Sequence, residues 1–507
     1  MGLYDFTVYD LIVRSAHCHA DATAWVEAAD GRRMTFAQFK TSVDRLAAGL
    51  QRIGLSKGGR IGIVGQNSLE YFLLYGAAAA LGAIVLPVNW RLSADEMVFN
   101  LEDGSPDIVF ADAAFQASIT EAGGARDGGR RYFNLTPGRG RFADITDLMD
   151  SPASFKPVDT AADDGFVIIH TAAVAGRPRG ALLSHANLVC ASLTLNYCFS
   201  LTPRDVHLNL LPLFHVGGLF MAFSSFHAGA QNIDMAKFDA QRAAQLIEAH
   251  RVSLLFEFAP ILSSILDAHQ ALGTDIGSLK AVMGLDAPET IERYQQMSGG
   301  RFYVIYGQTE TSCVATMGRY EACPGAAGRP GPFTRIALVD EYDRPVPPGQ
   351  VGEITVKGPM VFKGYWNLTA DTDHTFRDGW HHTGDLGMFD DQGFLWYKGR
   401  KAEKELIKPG GENVYPAEVE KVILLHPAVE ETVVFGVPDP KWKEGIKAVC
   451  RLAVGKTLAP DELIRFVGER IARYKKPRYV EFVAELPHQE DGAVDREKVK
   501  ALYGAEV

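Results

Sequence analysis

The stretch RIGIVGQNSLEYFLLYGAAAALGAIVLPV, residues 60–88, indicates the fold class of the chain. Two short apolar runs, RIGIVG (60–65) and AIVLPV (83–88), flank an Ala-rich segment that predicts a helix over Leu69–Leu81. Apolar runs of this length, separated by a helix, are typical of parallel strands that are buried on both faces. The stretch therefore predicts a strand–helix–strand unit of an α/β domain.

The same pattern continues through the first two-thirds of the chain. Further apolar runs predict buried parallel strands at 107–112, 166–170 and 301–307. Alternating runs bounded by Pro and Gly then predict an antiparallel sheet over 333–340, 351–358 and 393–400. The large N-terminal part is therefore expected to hold α/β sheet subdomains and an antiparallel β subdomain.

The character of the chain changes near residue 400. A charge-dense stretch, Lys401–Lys408, precedes a compact α+β pattern with helices predicted over Pro416–Leu425 and from Pro460 to Arg473. We place a domain boundary within 399–404. The fold class predicted is α/β, with a small α+β domain at the C-terminus.

Composition excludes several classes of protein. The 507 residues are 47% hydrophobic, which is ordinary globular composition, and the length suggests about three folding units. A net charge of −11 disfavours a nucleic-acid partner, because an acidic surface repels phosphate. Six scattered cysteines without a CxxC pair favour a reduced, cytoplasmic protein over a disulfide or zinc framework. Gly and Pro interrupt the two longest uncharged stretches, and no signal peptide is evident, so no membrane span is expected.

The segment IHTAAVAGRPRGALLSH, residues 169–185, predicts a loop that could bind an oxyanion. A strand ends in Thr171, small residues lead to Gly176, and Arg179 follows. Small residues let backbone N–H groups converge on an anion, and arginine adds charge. A structural turn between two strands explains the segment equally well, and the Walker A pattern GxxxxGK[ST] is absent.

Two further motifs follow predicted strands. Tyr306–Glu310 (YGQTE) comes directly after a buried strand, where α/β sheets bind ligands, and its Glu310 could hold a hydrated Mg²⁺. Asp385 lies in WHHTGDL (380–386), fifteen residues before Arg400, and could accept both hydroxyls of a ribose. A polar strand-end turn and a turn stabilised by its own Asp remain as the structural alternatives. A fourth motif, Lys408–Glu420, is a glycine turn that enters a helix.

The order and spacing of these motifs resemble the adenylate-forming superfamily, which comprises acyl-CoA synthetases, luciferases and the adenylation domains of peptide synthetases. The resemblance extends from Arg33 to Arg496, and its strongest markers are Tyr306–Glu310, Thr383–Asp385, Gly399-Arg400 and Gly410–Glu418. It implies that ATP activates a carboxylate, that pyrophosphate leaves, and that a thiol then attacks the acyl-adenylate. The implied ligands are ATP or AMP, Mg²⁺, CoA and a small carboxylic acid, and a homodimer is expected.

The resemblance also assigns roles to particular residues. It places Thr171, Gly176 and Arg179 in the triphosphate loop, Thr309 and Glu310 at the phosphates and Mg²⁺, Asp385 and Arg400 at the ribose, Asp286, Ala287, Pro288, Tyr306 and Gly307 at the adenine, and Gln308 at the nucleotide. His215, in LPLFHVGG, stands between the adenylate and acyl pockets, although a plain core role for it stays open.

The resemblance further implies two orientations of a mobile C-terminal domain. The predicted parts are an N-terminal domain over 1–400, a hinge over 401–404 and the mobile domain over 405–507. One orientation serves adenylation and the other admits the thiol, with the Gly410-Gly411-Glu412 loop then facing the thiol tunnel.

The chain departs from the superfamily pattern in two places that matter for chemistry. The usual loop T-S-G-T-T-G-x-P-K-G here reads TAAVAGRPRG (171–180), which removes three hydroxyls. The terminal signature P-x-x-x-x-G-K ends here in Ala493, which offers no cation for adenylation. Losing one preorganised donor at a developing charge costs about 2.7–4 kcal/mol, or roughly 10²–10³ in rate. Two interpretations stay open: an engineered Lys→Ala change that traps a ligand complex, and a natural protein that lacks the lysine.

Three functions remain as hypotheses. The first is an ATP-dependent carboxylate–CoA ligase, which the absence of an appended carrier domain favours. The others are an adenylation enzyme that loads a carrier protein and a naturally impaired ATP- or acyl-binding relative. The predicted acyl pocket is mostly apolar or small, which favours an aromatic, alicyclic or short-to-medium aliphatic monocarboxylate; its lining is predicted from Phe214–Leu219, Phe256–Pro260 and Thr311–Thr316.

Overall fold

The strand–helix–strand unit predicted for residues 60–88 is present in the structure. The structure is a computed structural model, which describes residues 2–3, 5–123, 130–150, 155–174, 177–401, 406–440, 442–489 and 494–504. Strands Arg60–Val64 and Ile84–Val88 pair in parallel on either side of helix Leu69–Leu81 in the chain. The helix begins after Ser68, whose hydroxyl accepts a hydrogen bond from the Tyr71 amide, and every residue of the helix is buried.

The helices of the described residues are numbered in chain order. They are α1 (Val8–Cys18), α2 (Phe36–Arg52), α3 (Leu69–Leu81), α4 (Ala94–Gly104), α5 (Ala113–Gly123), α6 (Ile145–Met149), α7 (His185–Phe199), α8 (Val216–His227), α9 (Ala240–His250), α10 (Ile261–Leu272), α11 (Pro288–Ser298), α12 (Thr369–Thr375), α13 (Pro416–Ile423), α14 (Pro460–Gly468) and α15 (Arg496–Tyr503).

The strands are numbered in the same way. They are β1 (Thr23–Glu27), β2 (Arg33–Thr35), β3 (Arg60–Val64), β4 (Ile84–Val88), β5 (Ile108–Ala111), β6 (Arg131–Asn134), β7 (Ala143–Asp144), β8 (Gly165–Val174), β9 (Arg177–Ser184), β10 (Val206–Asn209), β11 (Gln231–Asp234), β12 (Leu254–Phe258), β13 (Ala281–Leu285), β14 (Arg301–Tyr306), β15 (Thr316–Arg319), β16 (Arg329–Pro330), β17 (Arg335–Val339), β18 (Gly352–Lys357), β19 (Gly364–Tyr365), β20 (Phe376–Arg377), β21 (Trp380–Phe389), β22 (Leu395–Arg400), β23 (Val429–Asp439), β24 (Lys443–Leu452) and β25 (Tyr479–Val483).

In the described residues these strands form four sheets. Two large, mostly parallel sheets have the orders β19-β9-β8-β4-β3-β5-β6-β7 and β16-β15-β14-β13-β12-β10-β11-β1-β2. An antiparallel sheet, β17-β18-β21-β20 with β22 beside β21, follows them in the chain, and β23-β24-β25 form a small C-terminal sheet. This arrangement confirms the predicted α/β fold class with a large N-terminal part and a small C-terminal part.

The two large sheets share one apolar core. Trp25 of β1 stacks on Phe72 of α3 with ring centroids 4.5 Å apart, and Phe72 contacts Phe223 of α8 at 4.6 Å. Ile61 of β3 and Val167 of β8 belong to the same buried cluster. Because helix α3 is apolar on every side, it fits between neighbours rather than at the surface.

Two details of the predicted elements were wrong. The runs at 166–170 and 301–307 were expected to pair only in parallel. In the structure, β8 is parallel to β4 and antiparallel to β9, and β14 is parallel to β13 and antiparallel to β15. The helix predicted from Pro460 to Arg473 ends at Gly468. Four residues beyond it, the Ala472 amide donates to the Glu96 side chain on α4 at 3.1 Å, which is a tertiary hydrogen bond and not a helical one.

This contact belongs to a larger junction between the N-terminal and C-terminal parts. The buried ammonium of Lys475 lies 2.6 Å from Glu96 and 2.7 Å from Glu418 of α13. One cation thus joins a helix of each part. No helix in the described ranges combines the length and the apolar composition that crossing a membrane requires.

Candidate active site

The Asp385 carboxylate is the centre of a buried polar cluster. Asp385 on β21 pairs with Arg400 on β22, so their side chains are neighbours in the sheet, and Arg400 Nε donates to Oδ1 at 3.1 Å. The Tyr306 hydroxyl and Gln308 Nε2 donate to Oδ2 at 2.9 and 2.6 Å. We call these four residues the Asp385 corner; it unites two motifs that lie more than seventy residues apart in the chain.

A second buried carboxylate holds the turn that carries Asp385. Glu353 on β18 accepts a hydrogen bond from the Gly384 amide at 2.9 Å. Although burial opposes ionisation, hydrogen bonds from His382 and Lys401 lower the pKa of Glu353 to about 2. Lys401 is the first residue of the predicted hinge, so the Asp385 corner and the start of the hinge share one anchor.

Glu353 also belongs to a cluster with metal-ligating chemistry. Ligand atoms of Asp343, Glu353 and His382 lie within 4.8 Å of one another. However, Arg377 lies 3.0 Å from Asp343 and 2.7 Å from His382 Nδ1, and Lys401 lies 2.6 Å from Glu353. Because two cations already neutralise the carboxylates, we interpret the cluster as an ion-pair network.

Arg179 and Thr171 occupy opposite positions on the β8–β9 hairpin, and the Thr171 hydroxyl donates to the Arg179 carbonyl at 3.3 Å. The Arg179 guanidinium is directed inward: it lies 4.1 Å from the Tyr365 ring centroid and 3.1 Å from Asp371. The charge expected for the triphosphate is therefore already paired. Gly176 lies outside the described residues.

Glu310 lies beside this pair. It belongs to a short 3₁₀ turn, Thr309–Thr311, that follows β14, and its Oε1 accepts a hydrogen bond from the Tyr365 hydroxyl at 2.8 Å. Within the described part of the chain, no hydrogen bond is recorded for Oε2. We call Thr171, Arg179, Glu310, Tyr365 and Asp371 the Arg179 corner. Hard cations prefer carboxylate oxygen, so Oε2 fits the Mg²⁺ position predicted for Glu310.

The residues expected at the adenine lie at the ends of neighbouring parallel strands. Asp286, Ala287 and Pro288 join β13 to α11, where Ala287 caps the helix and Pro288 is its first residue. Gly307 follows β14, and an added β-carbon there would lie 1.9 Å from the Cys313 carbonyl oxygen. The protein's own backbone thus requires the lack of a side chain at this position.

His215 lies where the two parts of the chain meet. It precedes α8, and its Nε2 is 3.5 Å from Oε2 of Glu412 in the C-terminal part. Arg91 pairs with Oε1 of Glu412, and Asn89 donates to Oε2 at 3.4 Å. Burial opposes ionisation, but His215 and Arg91 lower the pKa of Glu412 to about 2. We call these four residues the Glu412 contact.

Sequence reasoning missed several of these residues. Arg91 and Asn89 follow β4 at its carboxyl end, and this position was the one available signal for them. Tyr365 and Asp371 carried no signal, since they reach the Arg179 corner from a distant part of the chain. Ala493 and residues 402–404 of the predicted hinge lie outside the described residues.

The comparisons with known proteins agree with this arrangement. The sequence pattern of the AMP-binding enzyme family matches residues 12–366, and that of the AMP-binding enzyme C-terminal domain matches 418–493. The chain belongs to the AMP-binding enzyme family. Indoleacetate–CoA ligase from Aromatoleum aromaticum is 33% identical over 479 residues, which cover 93% of each chain.

Two solved structures extend the match. A candidate long-chain-fatty-acid CoA ligase from Rhodopseudomonas palustris has 46% identity and a TM-score of 0.75, covering 79% of this chain and all of that one. A double mutant of o-succinylbenzoate CoA synthetase (MenE) from Bacillus subtilis has 27% identity and a TM-score of 0.86, covering 98% and 99%. The chain is thus an AMP-forming acid–thiol ligase, and the family implies ATP, AMP, CoA and a small acid as its substrates and products.

Proposed function

We propose that this AMP-binding enzyme is an ATP-dependent carboxylate–CoA ligase that works through an acyl-adenylate. The observation that carries the proposal is the Glu412 contact, in which a glutamate of the C-terminal part reaches His215, the residue expected between the adenylate and acyl pockets. Such a contact fits the orientation expected for thiol attack, in which the loop containing Glu412 faces the thiol path. The enzyme then runs two half-reactions in one pocket.

In the first half-reaction a substrate carboxylate oxygen attacks the α-phosphorus of ATP, and the bond to pyrophosphate breaks. Asp385 would accept hydroxyl hydrogen bonds from the ribose. A carboxylate has about four acceptor sites, and three donors already occupy Asp385. Binding both ribose hydroxyls therefore requires Tyr306 or Gln308 to turn away.

The Arg179 corner would meet the phosphates. Glu310 and Thr309 would hold Mg²⁺, which neutralises charge on the leaving pyrophosphate when it is bound. The Arg179 guanidinium would have to leave Asp371 before it could contact a phosphate directly. The loop therefore attracts a phosphate less strongly than it would if the Arg179 guanidinium were unpaired.

In the second half-reaction the CoA sulfur attacks the acyl carbonyl carbon, and the bond to the AMP oxygen breaks. AMP leaves, and the thiol proton passes to solvent or to a nearby base. The N-terminal and C-terminal parts of the chain meet at three charged or titratable side chains, those of His215, Glu412 and Arg91. The proposed contribution of Glu412 is to hold the C-terminal part against this place.

Ala493 is proposed to slow the first half-reaction alone. Replacing Ala493 by Lys should raise the rate of ATP–pyrophosphate exchange by about 10²–10³, because a preorganised cation at the reacting phosphate contributes that much. The rate of thioester formation from a preformed acyl-adenylate and CoA should not change. The exposed Ala501 on α15 gives a matched control, since Ala501→Lys adds the same charge at the surface.

A panel of carboxylic acids completes this test. Lack of exchange with any acid in the Ala493→Lys variant would overturn the proposal and favour an impaired ATP- or acyl-binding relative. Exchange with transfer to a carrier protein but not to CoA would favour the loading enzyme. We propose aromatic monocarboxylates as the first acids to screen, because aromatic rings line the predicted pocket; Phe256 and Phe258 lie 5.2 Å apart.

A further inference from the structure

Asn67 connects the loop after β3 to the turn that leads into His215. It lies between β3 and α3 and is 5% exposed. Its Oδ1 accepts a hydrogen bond from the Leu213 amide at 2.8 Å, and its Nδ2 donates to the Leu211 carbonyl at 2.9 Å. A carboxamide carries both a donor and an acceptor, so one side chain satisfies two backbone groups of the turn.

Two more buried side chains support the same turn. The Tyr75 hydroxyl, on α3, donates to the Leu213 carbonyl at 2.9 Å. Asp234, at the end of β11, accepts hydrogen bonds from Nδ2 of Asn67 at 3.3 Å and of Asn209 at 2.8 Å. Asp234 therefore attracts the nitrogen end of the Asn67 carboxamide, which leaves its oxygen for Leu213.

The turn passes directly into His215. The His215 amide donates to the Pro212 carbonyl at 3.1 Å, and α8 begins at the next residue. A β-carbon at Gly218 would lie 2.4 Å from the same Pro212 carbonyl oxygen, so the turn packs directly on the first turn of α8. The position of the His215 backbone thus follows from the position of residues 211–213.

We propose that Asn67 is a positioning residue for His215. Its carboxamide fixes the Leu211–Leu213 turn, and the turn fixes the place where the His215 imidazole meets Glu412 of the C-terminal part. The inference rests on the proposed function, because it assigns His215 to the thioester-forming half-reaction. Without the two hydrogen bonds, the imidazole keeps its chemistry but loses its fixed place.

The variants that test the proposal each have a matched control. Asn67→Ala removes both hydrogen bonds to the turn, and Tyr75→Phe removes only the hydroxyl. Asn134, the last residue of β6, is also buried and donates its amide to the Phe142 carbonyl at 2.6 Å. The buried hydroxyl of Tyr294 donates to a backbone carbonyl at 3.1 Å, as that of Tyr75 does.

The first readout is the single-turnover rate of thioester formation from a preformed acyl-adenylate and CoA. Asn67→Ala should lower this rate about 10-fold and Tyr75→Phe about threefold, since a lost buried hydrogen bond contributes on the order of 1 kcal/mol. Asn134→Ala and Tyr294→Phe should leave it unchanged. In a His215→Ala background, Asn67→Ala should have no further effect, because the group that it positions is gone. An equal loss in both backgrounds would overturn the proposal.

The second readout does not depend on turnover. Hydrogen exchange of the Leu213 amide and carbethoxylation of His215, both followed by peptide mass spectrometry, should change in Asn67→Ala and not in Asn134→Ala. If the wild-type enzyme forms no thioester, the proposed function fails, and this readout alone decides the role of Asn67. An unchanged Leu213 exchange rate or an unchanged His215 reactivity would refute the positioning role.

Discussion

Two arginine–carboxylate pairs in this enzyme have the same chemistry and opposite exposure. In the Asp385–Arg400 pair the carboxylate side chain is 5% exposed and the arginine 20%. In the Asp371–Arg179 pair the arginine is 10% exposed and the carboxylate 40%. The first pair buries an acceptor among donors, whereas the second buries a cation against an aromatic ring and leaves its partner in solvent.

The difference shows which group each corner has available for a ligand. The Asp385 corner presents a carboxylate whose position is fixed by three donors, and the proposed ribose contact requires one of them to move. The Arg179 corner holds a cation whose charge is already balanced, so its attraction for phosphate is reduced. The loss of three hydroxyls from the loop at 171–180 acts in the same direction.

Among the contacts of these charged pairs, the largest expected effect comes from the Asp385 corner. Asp385→Ala should weaken AMP binding about 100-fold, since a hydrogen bond to a charged group contributes about 1.5–3 kcal/mol. Isothermal titration calorimetry measures this affinity. Asp390→Ala is the control. Asp390 also accepts three hydrogen bonds, but it lies in the turn that joins β21 to β22. Equal losses of affinity in the two variants would mean that the sheet, and not the carboxylate, is responsible.

An intermediate effect is expected at the Glu412 contact, which joins an arginine and a carboxylate across the two parts of the chain. Glu412→Gln should slow thioester formation about 10-fold and leave ATP–pyrophosphate exchange unchanged, because it removes a charge-assisted hydrogen bond. Glu431→Gln, which breaks an ion pair with Arg451 inside the C-terminal part, is the control. A loss of exchange activity in Glu412→Gln would contradict this assignment.

The pH dependence of the same contact follows from the pKa of Glu412, which is about 2 and lies below its ordinary value of 4.5. Because the pKa is depressed in the Glu412 contact, the ionised carboxylate stabilises this contact above about pH 4.5. This contribution is lost as the pH falls toward 2. Glu412→Gln should lack the contribution at every pH. The two proteins should therefore differ in thioester formation by a constant factor at neutral pH and converge on acidification.

The smallest expected effect tests the Arg179 corner. Asp371→Asn should raise the affinity for ATP about twofold to fivefold, because a partly exposed ion pair contributes roughly 0.2–1 kcal/mol. Asp163→Asn removes the same charge from an exposed pair with Lys363 and serves as the control. Unchanged or weaker ATP binding in Asp371→Asn would show that the pairing does not hold the Arg179 charge back.

Sequence reasoning succeeded where the signal is local. Helix Leu69–Leu81 was predicted at its true bounds, since its apolar, Ala-rich composition is contiguous in the chain. Asp385 and Arg400 are neighbours in the structure because a short β-hairpin brings residues fifteen apart together, while their contact with a ribose stays a prediction. The order of the four motifs carried the family assignment.

The same reasoning failed where distant segments meet. Arg91 reaches Glu412 across 321 positions, and Asp371 reaches Arg179 across 192. Neither partner has a local pattern that identifies the other. The Ala472–Glu96 contact beyond α14 is a third case, because it joins the last part of the chain to α4 across 376 positions.

The close approach of Gly307 to Cys313 limits how mutagenesis of the YGQTE motif can be interpreted. Any side chain at position 307 displaces the backbone that carries Thr309 and Glu310. A loss of activity in Gly307→Ala would therefore report a misfolded loop and would not measure a nucleotide contact. Substitutions at Gln308 leave the close approach of Gly307 to Cys313 in place. They remove the amide hydrogen bonds to Asp385 and to the Thr383 carbonyl, and they are the more informative probes of this segment.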